Sequence, residues 1–395
     1  MPKVAVVGGG AAGFFLAITL KEICPQAGVT IFEKSHRVLA KVAVSGGGRC
    51  NCTNSFEDVG DLSEVYPRGH RLLKRLFRTF GPRDAYAWFE RHGVRLVTQD
   101  DHCVFPASQD ARTIIDCFET EARRHDISIA TETRIDTLSQ LDAFEYIAVT
   151  TGGMPRNSFL ADVPIVKPLP SLFTFAIDDA QLHSLMGTVA EHATATIAGT
   201  RHKGEGALLI THWGMSGPCI LKLSSRAARL LADHDYRMAM TVNWMSSNDT
   251  DTQEELQRIA TQHPKKQVTN TPPFEMPGRL WNYLVEKTLG ERMQNRWQNL
   301  SCKEVNRLVN VLCNDTYETA GRTVFKDEFV TCGGVDLAAV NPQTLECKTR
   351  QRLYFAGEVL DIDGITGGFN FQAAWTTAHT VAQAIANDIK SLKTS

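Results

Sequence analysis

The sequence lacks an excess of charge of either sign. Its 395 residues carry 42 lysines and arginines against 44 aspartates and glutamates, which gives a formal net charge of −2 at pH 7. Proteins that bind polyanions use a surplus of basic side chains, so this balance gives no electrostatic reason to expect a nucleic acid or an anionic membrane. We therefore expect a small-molecule substrate, with no nucleic-acid partner and no membrane partner.

Long apolar runs are also scarce. The most apolar stretch near the N-terminus, Val4–Leu20, is interrupted by four glycines and preceded by a single basic residue, Lys3. This pattern favours a strand, a turn and a helix over a signal peptide or an anchor. No other stretch is long and apolar enough to span a bilayer. We expect a cytoplasmic protein.

The ten cysteines include no C-x-x-C pair. Without a sign of export, free thiols in a reducing compartment are expected. Only Cys50 and Cys52 lie close together, in the stretch SGGGRCNCTN. Two ligands without a neighbouring cysteine or histidine pair do not complete a tetrahedral zinc site, so we predict no metal. A disulfide across one intervening residue would be strained. The three glycines favour a third interpretation, a backbone cradle whose N–H groups face a ligand.

The N-terminus predicts a βαβ unit, with a strand over Lys3–Val7, a helix over Ala11–Ile23 and a strand over Val29–Glu33. The turn between the first strand and the helix reads GGGAAG and matches the dinucleotide fingerprint G-x-G-x-x-G. Glu33 follows the last glycine by 20 residues, where an acid can accept hydrogen bonds from the ribose of an adenosine. The sequence therefore predicts a Rossmann-type dinucleotide site.

A second strand, glycine loop and helix occur late in the chain. Leu353–Leu360 predicts a strand, Ile362–Asn370 a glycine-rich loop, and Phe371–Lys390 a long helix. A flavin dinucleotide is long enough to need such a second contact, far in sequence from the first, and the helix N-terminus can stabilise a reduced flavin. The position of this unit favours FAD over NAD, and it indicates that the two ends of the chain share one domain.

The middle of the chain changes character. Runs of β-forming residues over Leu169–Asp178, Val189–Gly199 and Ala207–His212 predict a small sheet or barrel. Helical patterns follow, among them Glu291–Leu300 and Ser301–Cys313, the second with the capping-box pair Ser301 and Glu304. The predicted fold is α/β: a discontinuous Rossmann-type FAD-binding domain over 1–165 and 326–395, an inserted β-rich, barrel-like module over 166–255, and a helical module over 256–325.

Ordered motifs over almost the whole chain resemble a known family. They are GGGAAG, Glu33, Lys41 with SGGGRCNCTN, Phe105-Pro106, TTGG, THWGMSGP, VTCGGV and LYFAGEVLDIDGITGGFNFQAAW. From residue 3 to about 385 the chain resembles the BaiN/RdsA-type NAD(P)/FAD-dependent oxidoreductases, also called aminoacetone-oxidase-type FAD-binding enzymes. The resemblance implies a flavin-dependent oxidoreductase. Activities in that family include reduction of steroid-like enones and oxidation of a small aminoketone.

The motifs together define a predicted site. Its cofactor-binding residues are Gly8, Gly10, Ala11, Ala12, Gly13, Glu33, Lys34, Lys41, Gly46, Gly47, Gly48, Arg49, Asn51, Asn54, Thr151, Gly152, Gly357, Glu358, Asp361, Gly367, Gly368, Asn370 and Phe371. Cys50 and His212 are the candidate catalytic residues. Cys50 is either a buried small hydrophobe or a proton donor near the flavin, and His212 is either an acid/base or a structural histidine.

Three classes of function remain open at this stage, and the first of them has two forms. The first is transfer of a hydride from NAD(P)H through flavin N5 to an organic C=C or C=O; because no second fingerprint occurs, NAD(P)H would dock transiently as a co-substrate. A related alternative is an oxidase of a small amine or alcohol that uses O₂. The others are an enzyme that modifies nucleic acid and a non-catalytic FAD-binding protein.

Overall fold

The computed structural model describes residues 1–153, 159–322 and 330–394. The chain forms two compact units, the first comprising Met1–Leu169 with Val330–Ser395 and the second Pro170–Phe329. The α/β fold predicted from the sequence is confirmed, with a parallel sheet in the first unit and a six-stranded barrel in the second. The residues that we predicted as a separate helical module, 256–325, belong to the same unit as the barrel. The predicted boundary at 325/326 lies outside the described residues.

Among the residues that the structure describes up to Ser171, the chain forms eight strands and six α-helices. They are β1 (Lys3–Val7), α1 (Ala11–Ile23), β2 (Gly28–Phe32), α2 (Ala40–Val44), β3 (Thr53–Asn54), α3 (Leu62–Val65), α4 (His70–Leu76), α5 (Pro82–Arg91), β4 (Leu96–Thr98), β5 (Cys103–Pro106), α6 (Arg112–Arg124), β6 (Ser128–Ala130), β7 (Tyr146–Val149) and β8 (Ile165–Ser171).

The second unit alternates the barrel strands with helices. Its elements are β9 (Phe175–Ile177), α7 (Ala180–His183), β10 (Val189–Ile197), β11 (Lys203–Thr211), β12 (Gly214–Ser216), α8 (Pro218–Arg226), α9 (Ala228–Asp233), β13 (Ala239–Asn243), α10 (Asp249–Gln262), α11 (Gly278–Leu289), α12 (Cys302–Asn314) and β14 (Asp315–Arg322). The chain then returns to the first unit with β15 (Val330–Val335), β16 (Leu353–Phe355) and α13 (Phe369–Thr394).

The main sheet of the first unit has the strand order β16-β7-β1-β2-β6, and its strands run parallel. Val4, Ala5 and Val6 of β1 are fully buried, as expected for a central strand covered on both faces. The loops that follow β1, β2, β7 and β16 leave from the carboxyl ends of parallel strands. Those ends lie on one edge of the sheet, which is where open α/β sheets bind ligands.

Helix α13 packs against the fingerprint helix α1 and thereby joins the two ends of the chain. The ring of Phe15 lies 4.5 Å from that of Trp88 and 5.2 Å from that of Trp375, centroid to centroid. Trp375 also donates its indole N–H to the carbonyl oxygen of Cys52 at 2.7 Å. An apolar contact and a buried hydrogen bond therefore fix the late helix against the early glycine loop.

In the second unit, the strands β10-β11-β12-β9-β14-β13 close into a barrel. Helix α11 is tied to β14 by a buried polar network. Lys287 donates to Asp315 at 2.6 Å, and Asp315 also accepts from the hydroxyl of Tyr317 at 2.5 Å and the indole of Trp244 at 3.1 Å. This network explains why the helices and the barrel form one compact unit.

Two predicted elements were wrong. Glu291–Leu300 is not one helix but two 3₁₀ turns, Gly290–Gln294 and Trp297–Asn299. The backbone between them pairs with an earlier segment through a bridge from Gln267 to Arg296, and this tertiary pairing overrides the helical pattern. The strand predicted over Leu353–Leu360 ends at Phe355, because Gly357 adopts φ +78°, outside the extended region.

Among the residues that the structure describes, no helix combines the length and the apolar character needed to cross a membrane.

Candidate functional site

The first βα turn of the first unit can only be built from glycine at two positions. Gly8 has φ +119°, and a Cβ on it would lie 2.4 Å from the carbonyl oxygen of Thr150. A Cβ on Gly13 would lie 2.1 Å from the carbonyl oxygen of Gly8. The hydroxyl of Thr150 donates to that same oxygen at 2.9 Å and closes the turn. These two glycines therefore serve the tight packing of strand, turn and helix.

Gly10, in contrast, opens onto free space. A Cβ built on it meets no described atom within 4 Å. Gly10 is the N-cap of α1; no side chain caps the N-terminus of this helix, and its first turn contains no acidic residue. The turn that contains Ala11 and Ala12 therefore presents backbone N–H groups and the positive end of the helix dipole to an anion. The site has the form that binds a pyrophosphate.

Glu33 lies directly after β2 and is held by its neighbours. Its Oε2 accepts from the backbone N–H of Gly9 at 2.9 Å, and its Oε1 accepts from the N–H of Ser35 at 2.9 Å and the hydroxyl of Ser35 at 2.7 Å. A carboxylate has about four lone-pair positions, so these bonds orient the group and leave Oε2 able to accept from a ribose hydroxyl. Lys34, next in the chain, is exposed.

The stretch SGGGRCNCTN forms the second open backbone segment. Ser45–Gly48 is a short 3₁₀ turn in which Gly46, Gly47 and Gly48 all have positive φ, from +56° to +83°. A Cβ on Gly47 or Gly48 would meet nothing within 4 Å. The preceding Val44 is exposed, at 72%. Exposure of an apolar side chain beside bare backbone favours the cradle interpretation.

Arg49 borders this cradle and is held by three contacts. Its guanidinium lies 4.2 Å from the ring centroid of Phe105, its Nε donates to the carbonyl oxygen of Gly46 at 3.2 Å, and its Nη1 donates to Gln109 at 3.3 Å. A planar guanidinium stacked on an aromatic ring keeps its charge while its orientation is fixed. Arg49 can therefore offset the charge of an anion beside the glycines without moving.

Cys50 and Cys52 are both fully buried. Burial raises the pKa of Cys50 to about 12, even though a hydrogen bond with Ser45 acts in the opposite direction. Burial also raises the pKa of Cys52 well above its ordinary value, and the Cys52 thiol donates to the carbonyl oxygen of Val104 at 3.3 Å. Because metal binding and disulfide exchange need thiolates, these thiols favour packing over either chemistry. In the described segments 1–153, 159–322 and 330–394, no three metal-ligating side chains are grouped to hold an ion.

The cysteine loop and the late glycine loop form one structure. A Cβ on Gly368 would lie 2.2 Å from the carbonyl oxygen of Thr53 and 2.7 Å from Oδ1 of Asn51. The amide of Asn54 donates to the carbonyl oxygen of Gly367 at 3.1 Å. The hydroxyl of Thr53 donates to Gln372 in the first turn of α13 at 2.6 Å. Only a residue without a side chain at 368 lets the two loops approach this closely.

Asn370 and Phe371 begin α13 and are engaged within the protein. The side chain of Asn370 accepts from the N–H of Gly364 at 2.8 Å and donates to its carbonyl oxygen at 2.9 Å, so this amide closes the glycine-rich loop. The ring of Phe371 stacks on Trp375, with 5.4 Å between centroids. In this structure both side chains position the loop.

Glu358 follows β16 and contacts helix α2, strand β15 and the loop after β7. Its Oε2 accepts from Nζ of Lys41 at 3.1 Å, and its Oε1 accepts from the N–H of Thr331 at 2.8 Å. A Cβ on Gly152 would lie 3.5 Å from Oε2, while Thr151 beside it is exposed. The ion pair of Lys41 and Glu358 thus places one ammonium group and one carboxylate at the sheet edge that carries the fingerprint.

Gly357 and Asp361 complete the predicted set in the first unit. A Cβ on Gly357 would lie 2.9 Å from the Cβ of Ala12, so the late strand end approaches the fingerprint helix directly. The carboxylate of Asp361 accepts from the N–H of Gly333 at 3.0 Å. Asp361 therefore supports the VTCGGV strand, β15.

His212 lies in the second unit, in the turn between β11 and β12. It is exposed, and its ring packs edge-on against that of Trp213 with 4.3 Å between centroids.

The sequence analysis missed the side chains that support the cradle. Thr150 donates its hydroxyl to the carbonyl oxygen of Gly8, and the largely buried Arg68 pairs with Asp363. Threonines have no spacing that distinguishes a supporting hydroxyl from an ordinary strand residue. Phe105 belongs to the Phe105-Pro106 motif that the sequence revealed. That motif alone does not indicate that the ring of Phe105 stacks on Arg49.

The geometry fits FAD. Two backbone segments open onto free space at Gly10 and at Gly47–Gly48, one carboxylate is oriented with a lone pair to spare, and the N-terminus of α1 is uncapped. A dinucleotide needs these features at its pyrophosphate and its ribose. The same unit also contains the late glycine loop that the longer flavin cofactor requires.

Comparison with known proteins agrees with this assignment. The family model "HI0933-like protein Rossmann domain" matches residues 2–166, and "HI0933-like protein barrel and H2TH domain" matches residues 169–330. The chain is 26% identical over 406 residues to a ribosomal RNA dihydrouridine synthase of Escherichia coli (strain K12), and the match covers 96% of each chain. It is 24% identical over 420 residues to a 3-dehydro-bile acid delta(4,6)-reductase of Clostridium scindens, with 98% of this chain and 99% of the relative covered.

Among solved structures, the crystal structure of a 3-ketosteroid delta1-dehydrogenase from Sterolibacterium denitrificans has a TM-score of 0.46 and 10% identity. This match covers 98% of the present chain and 100% of the dehydrogenase. The two family models together match residues 2–166 and 169–330, which is more than half of the chain. The chain belongs to the HI0933-like family and is an FAD-dependent oxidoreductase.

Proposed function

We propose that the protein uses NAD(P)H to reduce a carbon–carbon double bond conjugated to a carbonyl group. The observation that carries the proposal is the open cradle of the first unit, in which the backbone of Gly10, Gly47 and Gly48 faces free space and the carboxylate of Glu33 is oriented. The sequence contains a single dinucleotide fingerprint. A reduced nicotinamide would therefore bind transiently, while FAD occupies the cradle.

Residues of the chain bind and orient the cofactor. The N-terminus of α1 would hold the pyrophosphate, Glu33 would accept from the ribose, and Arg49, fixed on Phe105, would offset negative charge beside the glycine turn. The N-terminus of α13, which begins at Phe369, would favour negative charge on a flavin ring bound beside it.

The chemistry that bound FAD supplies is transfer of a hydride from NAD(P)H to the acceptor. The acceptor gains the hydride at one carbon and a proton at the other, so its double bond is reduced by two electrons while NAD(P)H becomes NAD(P)⁺.

The names of the relatives support this acceptor class. A dihydrouridine synthase saturates the C5=C6 bond of uridine, which is conjugated to the C4 carbonyl group. A delta(4,6)-reductase of a 3-dehydro-bile acid reduces double bonds conjugated to the 3-oxo group. Both reactions add a hydride and a proton to an enone-like system. The first candidate substrate is therefore a small organic enone.

A uridine within RNA is the second candidate. Its support is the name of the Escherichia coli relative, a ribosomal RNA dihydrouridine synthase, with a match that covers 96% of each chain. The net charge of −2 averages over the whole chain and does not describe one face of the molecule. On this candidate the same flavin chemistry acts on a base rather than on a free enone.

An anaerobic absorbance experiment tests the proposal. The purified protein should show flavin bands that bleach when NADH or NADPH is added and return when an acceptor such as a steroid enone or a uridine-containing RNA follows. Bands that persist with both nicotinamides would contradict the reductase and favour the oxidase, which small amines or alcohols would reduce and O₂ would reoxidise. Absence of flavin after addition of FAD would contradict the site itself.

A further inference from the structure

A short segment of the first unit, residues 65–69 at the end of α3 and before α4, runs alongside the late glycine loop. We call this segment the brace. The backbone N–H of Ile365 donates to the carbonyl oxygen of Val65 at 2.9 Å, and Arg68 pairs with Asp363 in an antiparallel bridge. The brace therefore supports the loop through the backbones of both segments.

Two glycines let the brace and the loop approach each other closely. A Cβ on Gly69 would lie 2.6 Å from Cγ1 of Ile362. A Cβ on Gly364 would lie 3.1 Å from the ring of Tyr66 and 2.8 Å from the Cβ of Phe369. Because close-packed atoms transmit a displacement, the loop cannot shift without moving the brace.

Tyr66 connects the brace to the first residue of α13. Its side chain is fully buried, and its hydroxyl donates to the carbonyl oxygen of Phe369 at 2.8 Å. In an α-helix each such carbonyl accepts from the N–H four residues later, so α13 does not need the Tyr66 bond in order to form. The bond instead fixes where the helix begins relative to the brace.

A second set of contacts holds the same loop from the side of the cysteine loop. The ring of Phe369 packs edge-on against that of Phe56, with 5.1 Å between centroids. The backbone N–H of Phe56 donates to Oδ1 of Asn54 at 2.9 Å, and the amide of Asn54 donates to the carbonyl oxygen of Gly367 at 3.1 Å. The loop is thus held at Gly367 by Asn54 and at Phe369 by Tyr66 and Phe56.

The chemical state of Tyr66 fits a supporting role. Burial raises the pKa of Tyr66 well above its ordinary value, so the phenol stays neutral. Its proton is engaged by the carbonyl oxygen of Phe369. The hydroxyl therefore acts as a hydrogen-bond donor to the backbone and not as an acid toward a substrate.

We propose that Tyr66 is a positioning residue that sets the midpoint potential of bound FAD by fixing the first turn of α13. The inference rests on the proposed function only in that FAD occupies the cradle, and it depends on neither NAD(P)H nor the acceptor. Reduced flavin carries more negative charge than oxidised flavin, and the N–H groups of a helix N-terminus stabilise that charge only when they are held in position. A first turn that is free to shift would stabilise the reduced form less.

The test uses the full-length flavoprotein and the variant Tyr66→Phe, which removes the hydroxyl and keeps the ring. The matched control is Tyr86→Phe, because the hydroxyl of Tyr86 in α5 also donates to a backbone carbonyl oxygen, that of Leu96 in β4, at 3.0 Å. The flavin is reduced stepwise with dithionite in the absence of NAD(P)H. Its midpoint potential is measured at equilibrium with a reference dye.

We expect Tyr66→Phe to lose about tenfold more affinity for reduced FAD than for oxidised FAD, which lowers the midpoint potential of a two-electron couple by about 30 mV. Tyr86→Phe should keep the wild-type potential, although it too loses a hydrogen bond between a tyrosine and a carbonyl oxygen. An unchanged potential in Tyr66→Phe, or an equal shift in the two variants, would overturn the proposal.

A second variant covers the case in which Tyr66→Phe does not fold. Phe56→Leu removes the edge-on contact with Phe369 and leaves the bonds of Tyr66 and Asn54 in place, so it should lower the potential in the same direction. An unchanged potential in this variant would then overturn the proposal.

Failure of the proposed reductase would give a different result. In that case NAD(P)H would not bleach the flavin, while the potential measured with dithionite would still depend on Tyr66. A wild-type protein that binds no FAD would contradict the cofactor site and, with it, both proposals.

Discussion

The guanidinium of Arg68 donates to both carboxylate oxygens of Asp363, through Nε to Oδ1 and Nη2 to Oδ2. The side chain of Asp363 is fully buried, and that of Arg68 is 13% exposed. Burial alone would lower the pKa of Arg68, but the hydrogen bond and charge of Asp363 outweigh burial and raise it. This two-point pair joins the N-terminal part of the first unit to the late glycine loop beside α13.

Breaking this pair should be costly. In the variant Arg68→Met the Asp363 carboxylate stays buried without its main partner, so we expect the free energy of unfolding to fall by about 3–5 kcal/mol. Urea denaturation of the purified protein measures the change. The exposed pair of Arg134 and Asp136 provides the control, because Arg134→Met should alter stability by less than about 0.5 kcal/mol. Similar losses in both variants would contradict the assigned role.

Glu33 should control the affinity for FAD. Replacement by glutamine keeps the shape but removes the charge and places an amide donor where Gly9 and Ser35 already donate. A hydrogen bond to a charged group contributes about 1.5–3 kcal/mol, so Glu33→Gln should bind FAD roughly 10- to 100-fold more weakly. Titration of the apoprotein with FAD, followed by flavin fluorescence, measures this. Glu90→Gln, at an exposed position of α5, should leave the affinity unchanged.

Gly48 and Gly93 form a matched pair for testing the cradle. Their φ angles are +83° and +80°, and a Cβ on either meets nothing within 4 Å in the protein. Alanine at either position should therefore cost about 1–2 kcal/mol of backbone strain. If the cofactor occupies the space beside Gly48, then Gly48→Ala should also weaken FAD binding at least about tenfold, whereas Gly93→Ala should not. Equal affinities for FAD in the two variants would place the cofactor elsewhere.

The cysteines should divide sharply by reactivity. Nine of the ten are buried and only Cys302 is exposed. Burial raises the pKa of Cys50 to about 12, so its thiolate is scarce at neutral pH. A colorimetric thiol reagent should label one cysteine rapidly in the folded protein and all of them after denaturation. The variant Cys302→Ser should lose the rapid phase. Rapid labelling of Cys50 or Cys52, or a disulfide between them, would revive the redox interpretation.

The local parts of the fold were predictable from the sequence, and the long-range contacts of the site were not. Helix α1 begins and ends at the predicted residues, Ala11 and Ile23, because fingerprint glycines and apolar periodicity are local signals. The pair of Arg68 and Asp363 joins residues 295 positions apart, and that of Thr53 and Gln372 joins residues 319 apart. No periodicity within one segment encodes such partners.

The functional site shows the same distinction between local motifs, which were predictable, and long-range arrangement, which was not. Three consecutive glycines in SGGGRCNCTN indicated a cradle because they expose the backbone without side chains. In the structure, a Cβ on Gly47 or Gly48 would meet nothing within 4 Å. Net charge describes a whole chain, whereas binding depends on how a fold distributes that charge.

The pair of His92 and Glu22 should make stability depend on pH. Burial by itself lowers the pKa of His92, but hydrogen bonds to Glu22 and to the carbonyl oxygen of Trp88 outweigh it, so the pKa lies above its ordinary 6.5. Burial by itself raises the pKa of Glu22, but the hydrogen bond and charge of His92 outweigh it, so the pKa lies below its ordinary 4.5. Both shifts mean that folding stabilises the charged forms.

The two groups lose their contributions to stability in opposite pH directions. His92 contributes fully to stability below pH 6.5, and this contribution is lost as the pH rises through the folded pKa of His92. Glu22 contributes fully above pH 4.5, and this contribution is lost as the pH falls through the folded pKa of Glu22. The difference in unfolding free energy between wild type and Glu22→Gln should therefore be largest between pH 4.5 and pH 6.5, on the order of 1 kcal/mol. It should become smaller as the pH rises through the folded pKa of His92. Urea unfolding at a series of pH values measures it, with Glu90→Gln as the control. A difference that grows toward alkaline pH would show that His92 is not charged in the folded protein.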